Sequence, residues 1–262
     1  MKVLIIGAGE LASGTAHRLF RCGFDVAMTE VAQPLAVRRA VSFCTVVWEG
    51  QTTVEGVQGR LRELGESLSA PLDHVAVFVD PELTLLPTWH PDVLVDARLS
   101  KRAGATSVAQ APLVVSLGPG AVVGSDAHVV VETQRGHDLG RLIDEGSATP
   151  DTGIPGPLGG VTAKRVLRAP AAGPVRAVVQ IGDKVEAGDL VAWVGEIPVR
   201  ATISGVVRGL IRDGVIATPN LKMGDVDPRG DVQSCFTVSD KSSAVGKAVL
   251  QAILRCFPPV KT

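Results

Sequence analysis

The segment that most constrains this chain is its opening, Lys2-Val-Leu-Ile-Ile-Gly7-Ala-Gly9-Glu-Leu-Ala12, an apolar strand running into Gly-x-Gly-x-x-Ala. Gly7 permits a tight turn, Gly9 lets the main chain approach a pyrophosphate, and Ala12 is small enough for the next helix to pack on the strand. The helix N-terminus then offers free N–H groups and a partial positive charge to phosphates. Leu11, Thr15, Ala16 and Leu19 recur at helical spacing, Gly23 ends the helix, and Phe24-Asp-Val-Ala-Met28 reads as a second strand. Glu30 stands at its tip, roughly 20 residues past the glycines, where an acid would hold a ribose hydroxyl pair. The expectation is a βαβ start of the dinucleotide-binding kind. The plainer alternative is a Rossmann-like domain that holds a mononucleotide or has lost its ligand.

The next stretch keeps the same rhythm. Val75-Ala-Val-Phe-Val79, Val93-Leu-Val-Asp96 and Leu113-Val-Val-Ser-Leu117 are short apolar runs, as a sheet covered on both faces requires. Their C-terminal ends carry Asp80, Asp96, Arg98 and the Gly118-Pro-Gly120 loop, and open α/β sheets bind ligands outside those ends. Pro34 to Arg39 reads as a helical turn and Val46-Val-Trp48-Glu49-Gly50 as a short strand. Val129-Val-Val131 reads as another strand. Pro150 to Gly160, with three prolines and four glycines, reads as a linker or an ordered active-site loop.

Composition narrows the function. With 26 basic and 27 acidic residues the chain lacks the positive charge of a nucleic-acid binder or a membrane-surface protein. Aromatics are only 3%, too few for base-stacking platforms. No apolar run approaches the ~18 residues that span a bilayer. Met1-Lys2 enters a strand directly, so no signal sequence is expected. Cys22, Cys44, Cys235 and Cys256 form no CxxC pair and no zinc spacing, which reads as buried reduced thiols in a cytoplasmic protein.

An internal repeat follows. Arg168-Ala-Pro-Ala-Ala-Gly173-Pro-Val175-Arg176 matches Arg200-Ala-Thr-Ile-Ser-Gly205-Val-Val207-Arg208 at an offset of 32. Between the copies lies Gly182-Asp-Lys-Val-Glu-Ala-Gly188-Asp-Leu-Val-Ala-Trp-Val194. With these paired glycine turns, residues 166–233 resemble the barrel-sandwich domains that carry lipoyl or biotinyl groups. A carrier needs a lysine at the hairpin between its halves, and here the turn is Gly195-Glu-Ile-Pro198. A swinging-arm carrier is therefore rejected in favour of a barrel used for packing, docking or oligomerisation. Asp240 to Phe257 reads as a final helix, capped by Asp240 or Ser242 and stopped by Pro258-Pro259. The expected fold is α/β plus all-β. Residues 1–165 form a Rossmann-like nucleotide-binding domain with a Gly/Pro-rich loop region, 166–238 a barrel-sandwich domain, and 239–262 a C-terminal helix and tail.

Candidate chemistry centres on Glu132-Thr-Gln-Arg135-Gly-His137-Asp-Leu-Gly140-Arg141. An Arg-Gly-His run between a strand and a helix can clamp an anion and supply a proton near neutral pH. Arg141 would lie one helical turn beyond His137. The plainer alternative is a loop with a surface salt bridge. Asp96-Ala-Arg98 is a second anion clamp or an exposed helix start. Of Arg38 and Arg39, at most one would reach the cleft. His17 reads as part of a solvated helix face and His128 as structural. Met223 to Asp231 is acidic but lacks the spacing of an EF-hand loop, and reads as a turn.

Several motifs in order resemble one family across nearly the whole chain. They are Gly7-Ala-Gly9-Glu-Leu-Ala-Ser-Gly14 with His17-Arg18-Leu19; Glu30 with Gln33-Pro-Leu-Ala-Val-Arg38-Arg39; Val95-Asp96-Ala-Arg98; Leu117-Gly-Pro-Gly120; Val131 to Arg141; and Gly224-Asp-Val-Asp-Pro-Arg-Gly230. This pattern is similar to the YqeB-type accessory proteins of selenium-dependent molybdenum hydroxylases. Asp138 stands where Asn is expected and Glu10 where Asp is expected. The resemblance implies a cytoplasmic protein that helps mature such a hydroxylase, its partner. It implies no particular reaction.

Three functions follow. The first is a maturation factor that binds a nucleotide-bearing ligand, NAD(P) or another dinucleotide, the dinucleotide form of the molybdenum cofactor among them. Gly7, Gly9 and Ala12 would hold pyrophosphate and Glu30 the ribose, with Asp96, Arg98, Gly118 and Gly120 completing the cofactor cleft. Arg135, His137 and Arg141 would contact the reacting group. The second is an NAD(P)-dependent oxidoreductase with His137 as proton donor. The third is an assembly scaffold that docks the hydroxylase through the barrel. Self-association stays open, selenium handling by Cys22 or Cys44 is a weaker idea, and no metal, nucleic acid or membrane is expected.

Overall fold

The apolar runs pair into one large sheet. A computed structural model describes residues 1–258 and divides the chain into two units. The first comprises Met1–Pro34, Ser42–Thr152 and the chain from Val238 onward; the second comprises Leu35–Val41 and Gly153–Thr237.

In the first unit the strands are β1 (Lys2–Ile6), β2 (Asp25–Glu30), β3 (Gln51–Val54), β4 (Val57–Arg62), β5 (Val75–Val79), β6 (Val93–Asp96), β7 (Leu113–Leu117), β8 (Val129–Val131) and β9 (Leu142–Ile143). They form one sheet in the order β3-β4-β5-β2-β1-β6-β7-β8-β9. Every pairing from β4 to β8 is parallel, and β3 and β9 close the two edges antiparallel.

Helix α1 (Glu10–Arg21) follows β1, and α4 (Asp240–Cys256) returns from the end of the chain to pack along α1 and onto β7 and β8. Two single turns, α2 (Val46–Glu49) and α3 (Leu86–Trp89), complete the α-helices among the described residues. Side chains alternate between the sheet's faces. Leu4, Ile6, Phe78, Leu94, Val114 and Val130 share one core with Leu85 and Trp89, next to α3.

Glycines set the helix crossing. A Cβ on Gly14 would lie 2.6 Å from Ser242 Cβ, and one on Gly246 would lie 2.9 Å from the Gly14 carbonyl oxygen. Only glycine permits so close an approach. The final helix thus belongs to the first unit rather than standing apart as 239–262. Ser239, not Asp240 or Ser242, caps it by accepting the Ser242 N–H. Pro259, half of the expected proline stop, lies outside the described residues, as does the rest of the tail.

The second unit has β10 (Val166–Arg168), β11 (Gly173–Ala177), β12 (Lys184–Val185), β13 (Leu190–Val194), β14 (Ile197–Arg200), β15 (Gly205–Leu210), β16 (Ile216–Ala217) and β17 (Lys222–Asp227). They form two four-stranded sheets, β10-β17-β15-β12 and β14-β13-β11-β16. Moving each strand four places, cyclically through β10 to β17, turns the first order into the second. The repeat is therefore a structural twofold, with Gly173 and Gly205 as equivalent strand starts. Each half contributes strands to both sheets, and both sheets bury one cluster that includes Val175, Val191, Val207, Leu210, Met223 and Val226.

One local expectation fails and one element was not foreseen. Val46–Glu49 is a helical turn rather than a strand, closed by Gly50 at φ +75°. The β3–β4 hairpin went unread because its two-residue turn is Glu55-Gly56, with φ +41° and +81°. This turn normally announces itself with Asn or Asp before the glycine. The thiols divide: Cys44 and Cys235 are buried, but Cys22 and Cys256, near the ends of α1 and α4, are exposed.

Candidate functional site

Parallel register brings the strand ends of the first unit into one row. Ile6 pairs with Thr29 and with Asp96, Asp96 with Ser116, and Leu117 with Val131. The chain therefore leaves the sheet at Gly7, Ala97, Gly118 and Glu132 along a single edge, with Glu30 beside them. From β1 the chain moves outward through β2 to the β3–β4 hairpin, returns to place β5 between them, then crosses to build through β6, β7 and β8. The switch in direction falls between β1 and β6, and such a point opens a crevice at the carboxyl ends of strands.

The glycine turn is fixed from three sides. Gly7 has φ +93°, and a Cβ there would touch Ala97 at 3.6 Å. The Ala8 carbonyl accepts from Ser13 Oγ at 3.0 Å and from the Cys44 N–H at 2.9 Å. The Ala8 N–H donates to Glu30 Oε2 at 2.8 Å. Gly9 caps α1 with extended backbone and no side-chain cap, and a Cβ on it would meet nothing within 4 Å. The main chain is thus preorganised while the space beside Gly9 is open. Ala12, in the first turn of α1, is buried.

Ser13, which its sequence context did not single out, positions the glycine turn. It is fully buried and also accepts the Phe43 N–H at 2.7 Å. Its signal was a hydroxyl in the first turns of a helix, able to reach back to the preceding loop.

Glu30 is half-buried, and its second oxygen accepts the Val31 N–H at 2.8 Å. Burial pushes its carboxyl above the ordinary range, against the lowering by these two N–H groups.

Across β1, buried Asp96 is chelated by Arg98, whose Nε and Nη2 donate at 2.9 and 2.8 Å. Arg98 Nη2 also donates to the Ala105 carbonyl at 2.7 Å. The bond to Asp96 raises the Arg98 pKa further. Its side chain remains 37% exposed, so this cation faces solvent at the strand ends. The Gly118-Gly120 loop packs against the loop that carries it. A Cβ on Gly120 would fall 2.2 Å from the Ser100 carbonyl oxygen, and one on Gly118 3.0 Å from Leu99 Cδ2. These two glycines therefore support the Arg98 loop.

Glu132, buried at the end of β8, accepts the N–H groups of Gln134 and Thr149 at 2.7 and 2.8 Å. Burial alone would raise its carboxyl, but these N–H groups together hold it below the ordinary range.

The segment from 133 to 141 is not helical. Gly136 and Gly140, at φ +141° and +82°, turn it back into β9. Arg135 forks onto Asp240 at 2.6 and 2.8 Å. Arg141 pairs with Asp138 at 2.9 Å, and His137 is exposed. The helical-turn relation between His137 and Arg141 is thus corrected. The loop leaves β8, three strands from β1, which is about 14 Å at the usual strand spacing.

Elsewhere the expected candidates have structural partners. Arg38 is buried in the second unit and donates to the Ser234 and Thr237 carbonyls at 3.0 Å; Arg39 donates to the Leu210 carbonyl at 3.1 Å. Neither arginine belongs to the first unit's edge. His17 lies beside Glu55 rather than on a solvated face. His128 accepts the Val114 N–H, as a structural histidine should. Asp225 and Asp227, expected in a turn, lie in β17 and face Arg165, Arg208 and Arg229.

No family model matches the chain. It is 44% identical over 254 residues to the uncharacterized protein YqeB of Escherichia coli strain K12, a match over 96% of this chain and 47% of YqeB. The chain thus spans about half the length of that relative, and the match supports the YqeB family over the span it covers. Among solved structures, a succinylglutamate desuccinylase from Silicibacter sp. TM1040 aligns over 86% of this chain and 84% of its own, at 16% identity and a TM-score of 0.27. The product-bound ectoine utilization protein EutE (DoeB) from Ruegeria pomeroyi aligns over 55% and 60%, at 15% identity and a TM-score of 0.24. Likenesses this slight carry no argument here.

Proposed function

We propose that this chain, which matches YqeB over nearly its whole length, is a nucleotide-binding maturation factor for a selenium-dependent molybdenum hydroxylase. The observation that carries the reading is the convergence of the Gly7-Ala8-Gly9 turn, Glu30 and the Asp96–Arg98 pair on one edge of the sheet, at the switch between β1 and β6. The strand order β5-β2-β1-β6-β7-β8 is that of doubly wound dinucleotide-binding domains. In this Rossmann reading the N–H groups at the start of α1 and the Arg98 guanidinium hold a pyrophosphate, and Glu30 holds a ribose. The residues fit that group, since a side chain at Gly9 would occupy open space beside the helix N-terminus. The dinucleotide form of the molybdenum cofactor and nicotinamide dinucleotides share this pyrophosphate chemistry. Arg135, His137 and Arg141 stand at the same end of the sheet and would meet the far part of a long ligand.

The second unit is read as a barrel-sandwich domain that docks the hydroxylase. Its strand-exchanged halves support that reading, as does a lysine-free Gly195-Glu196 hairpin between them. Among the described residues no helix is long and apolar enough to cross a membrane, and we place the protein in the cytoplasm.

The test is a thermal-shift screen with NAD, NADP, FAD, CTP, ATP and molybdopterin dinucleotide, on wild type and Gly9→Val. Valine should cost the fold at most about 1 kcal/mol at this cap position. A ligand at a hundredfold excess over its Kd should stabilise wild type by about 2.7 kcal/mol and leave Gly9→Val unmoved. Equal shifts in both proteins would remove the glycine turn from the site. A flat screen on folded protein would leave only the scaffold role.

A further inference from the structure

We propose that the outer face of the sheet β14-β13-β11-β16 in the second unit packs against the same face of a second copy of this chain, with Arg176 of each copy meeting Glu196 of the other. The inference is independent of the nucleotide reading.

The two halves of the twofold are covered differently. At the offset of 32, Arg176 corresponds to Arg208, Trp193 to Asp225 and Gly195 to Asp227. Strand pairing keeps that correspondence, since Val175 pairs with Val194 as Val207 pairs with Val226. Around Arg208 the unit's own chain closes the outer face. The Leu210 N–H donates to the Val37 carbonyl, and the turn Gln233–Cys235 lies against β15. Arg208 is left 8% exposed, with two carboxylates beside it. Arg176, its counterpart, is exposed.

The open face is largely apolar. Pro174 pairs with Ile216, Arg176 with Trp193, and Trp193 with Pro198, so these five side chains share one side of the sheet. Val178 takes the next outward position after β11. Ile216 is 60% exposed and Val178 51%. Apolar surface that continues across neighbouring strands marks a contact with another protein. Arg176 lies within it, and its partner among the described residues is the Trp193 ring, 5.5 Å away. Where the other half has Asp227, this half has Gly195, and a Cβ there would meet nothing within 4 Å. The place of a carboxylate is thus open space. Glu196, the next residue of the turn, is exposed and forms no ion pair among the described residues. A cation without an acid and an acid without a cation therefore border one apolar face. About a twofold axis between them, both Arg176–Glu196 pairs form at once, which is the self-complementarity of an isologous dimer. A second copy holds both complementary charges by construction.

The experiment is sedimentation velocity from about 1 to 100 μM, a range that brackets a micromolar Kd. It compares wild type, Ile216→Asp, Arg176→Glu, Glu196→Arg and the double variant that combines the two reversals, each checked for folding by its melting temperature. Wild type should pass from monomer to dimer across the range. Each single reversal should weaken dimerisation at least about tenfold, because like charges then face each other. The double variant should return to within about threefold of wild type, since the pair is restored with its signs exchanged. Ile216→Asp should stay monomeric, and it tests the apolar face even where a reversal does not fold. A wild type that is monomeric throughout would overturn the inference and leave the face to a different protein. Dimerisation unmoved by Ile216→Asp and by the reversals would place the contact on another surface and overturn it as well. A double variant as weak as the single ones would overturn the pairing of Arg176 with Glu196.

Discussion

Asp96–Arg98 and Asp227–Arg229 are the same local device in two settings. In each, the arginine's main-chain N–H, Nε and Nη2 all return to an aspartate two residues earlier, at 2.7 to 3.1 Å. In the first unit the device sits at a strand end, beside the glycine turn. In the second, Asp227 is fully buried and also faces Arg208, 3.8 Å away and 8% exposed. Asp225 joins them, facing Arg208 and paired with buried Arg165. The motif alone therefore marks no site. Both positioned arginines are partly exposed, Arg98 at 37% and Arg229 at 46%; what differs is that Asp227 also faces a second, buried cation, Arg208, whereas Asp96 stands beside the glycine turn. The buried guanidinium of Arg208, held between Asp225 and Asp227, can only hold the fold, and Asp227 is tied to it in a way that Asp96 is not.

The sharpest way to break this contrast is to remove each aspartate's charge. Asp227→Asn leaves Arg208 and Arg229 facing a neutral amide, and breaking a buried pair in this way costs about 3–5 kcal/mol. Asp96→Asn should cost less, about 1–3 kcal/mol for lost charge-assisted hydrogen bonds, because Arg98 can turn to water. Urea unfolding of both variants checks the order. Equal losses would mean that the two settings are energetically the same. The nucleotide screen separates them further: Asp96→Asn should weaken ligand binding, while a folded Asp227→Asn should bind normally.

A second, smaller effect tests whether the first unit's stability resides away from its charged edge. Replacing a glycine inside a helix by alanine normally stabilises by about 0.5–1 kcal/mol. Gly14→Ala should do the opposite, because its Cβ would fall 2.6 Å from Ser242 Cβ where α1 meets α4. Overpacking of this kind costs about 1–3 kcal/mol. A lower melting temperature with unchanged ligand affinity is expected. A higher melting temperature would show that the helices separate without cost.

Much of the fold was legible in the sequence, and the exceptions share a cause. The run from Lys2 to Glu30 announced its strand, turn, helix and second strand because each signal is local. The runs at 75, 93, 113 and 129 declared themselves by continuous apolar residues. The offset of 32 between Gly173 and Gly205 likewise foretold the twofold of the second unit. What stayed hidden depends on distant partners. Nothing near Arg38 indicates that its guanidinium will meet carbonyls at 234 and 237. Nothing near Gly14 indicates that a helix 230 residues later needs the space. Val46-Val-Trp48 has strand composition, yet forms a turn of helix closed by Gly50. Arg135 and His137 looked reactive by density of charge, but Asp240, far along the chain, takes the arginine.

The smallest effect is the most discriminating, because the two units carry carboxylates whose shifts differ in sign. Burial raises the Asp227 carboxyl, but the bonds from Arg229 and the field of Arg208 more than offset it, so its pKa is lowered. Its stabilisation is present above the ordinary aspartate value and is lost as pH falls through the lowered one. Glu132 in the first unit behaves alike. Glu30 is the reverse. Its pKa is raised by burial, so holding it ionised costs stability at neutral pH, and that cost is relieved as pH falls through the raised value. Between neutrality and the ordinary glutamate range, wild type should therefore gain stability relative to Glu30→Gln. Below about pH 4 both proteins should lose it together as Asp227 and Glu132 are protonated. Melting temperatures from pH 7 to pH 3 would show the two curves converging and then falling in parallel. Parallel curves throughout would mean that Glu30 is no more desolvated than an exposed acid. The strand end would then lack the fixed, poorly screened charge that separates it from the balanced network of the second unit.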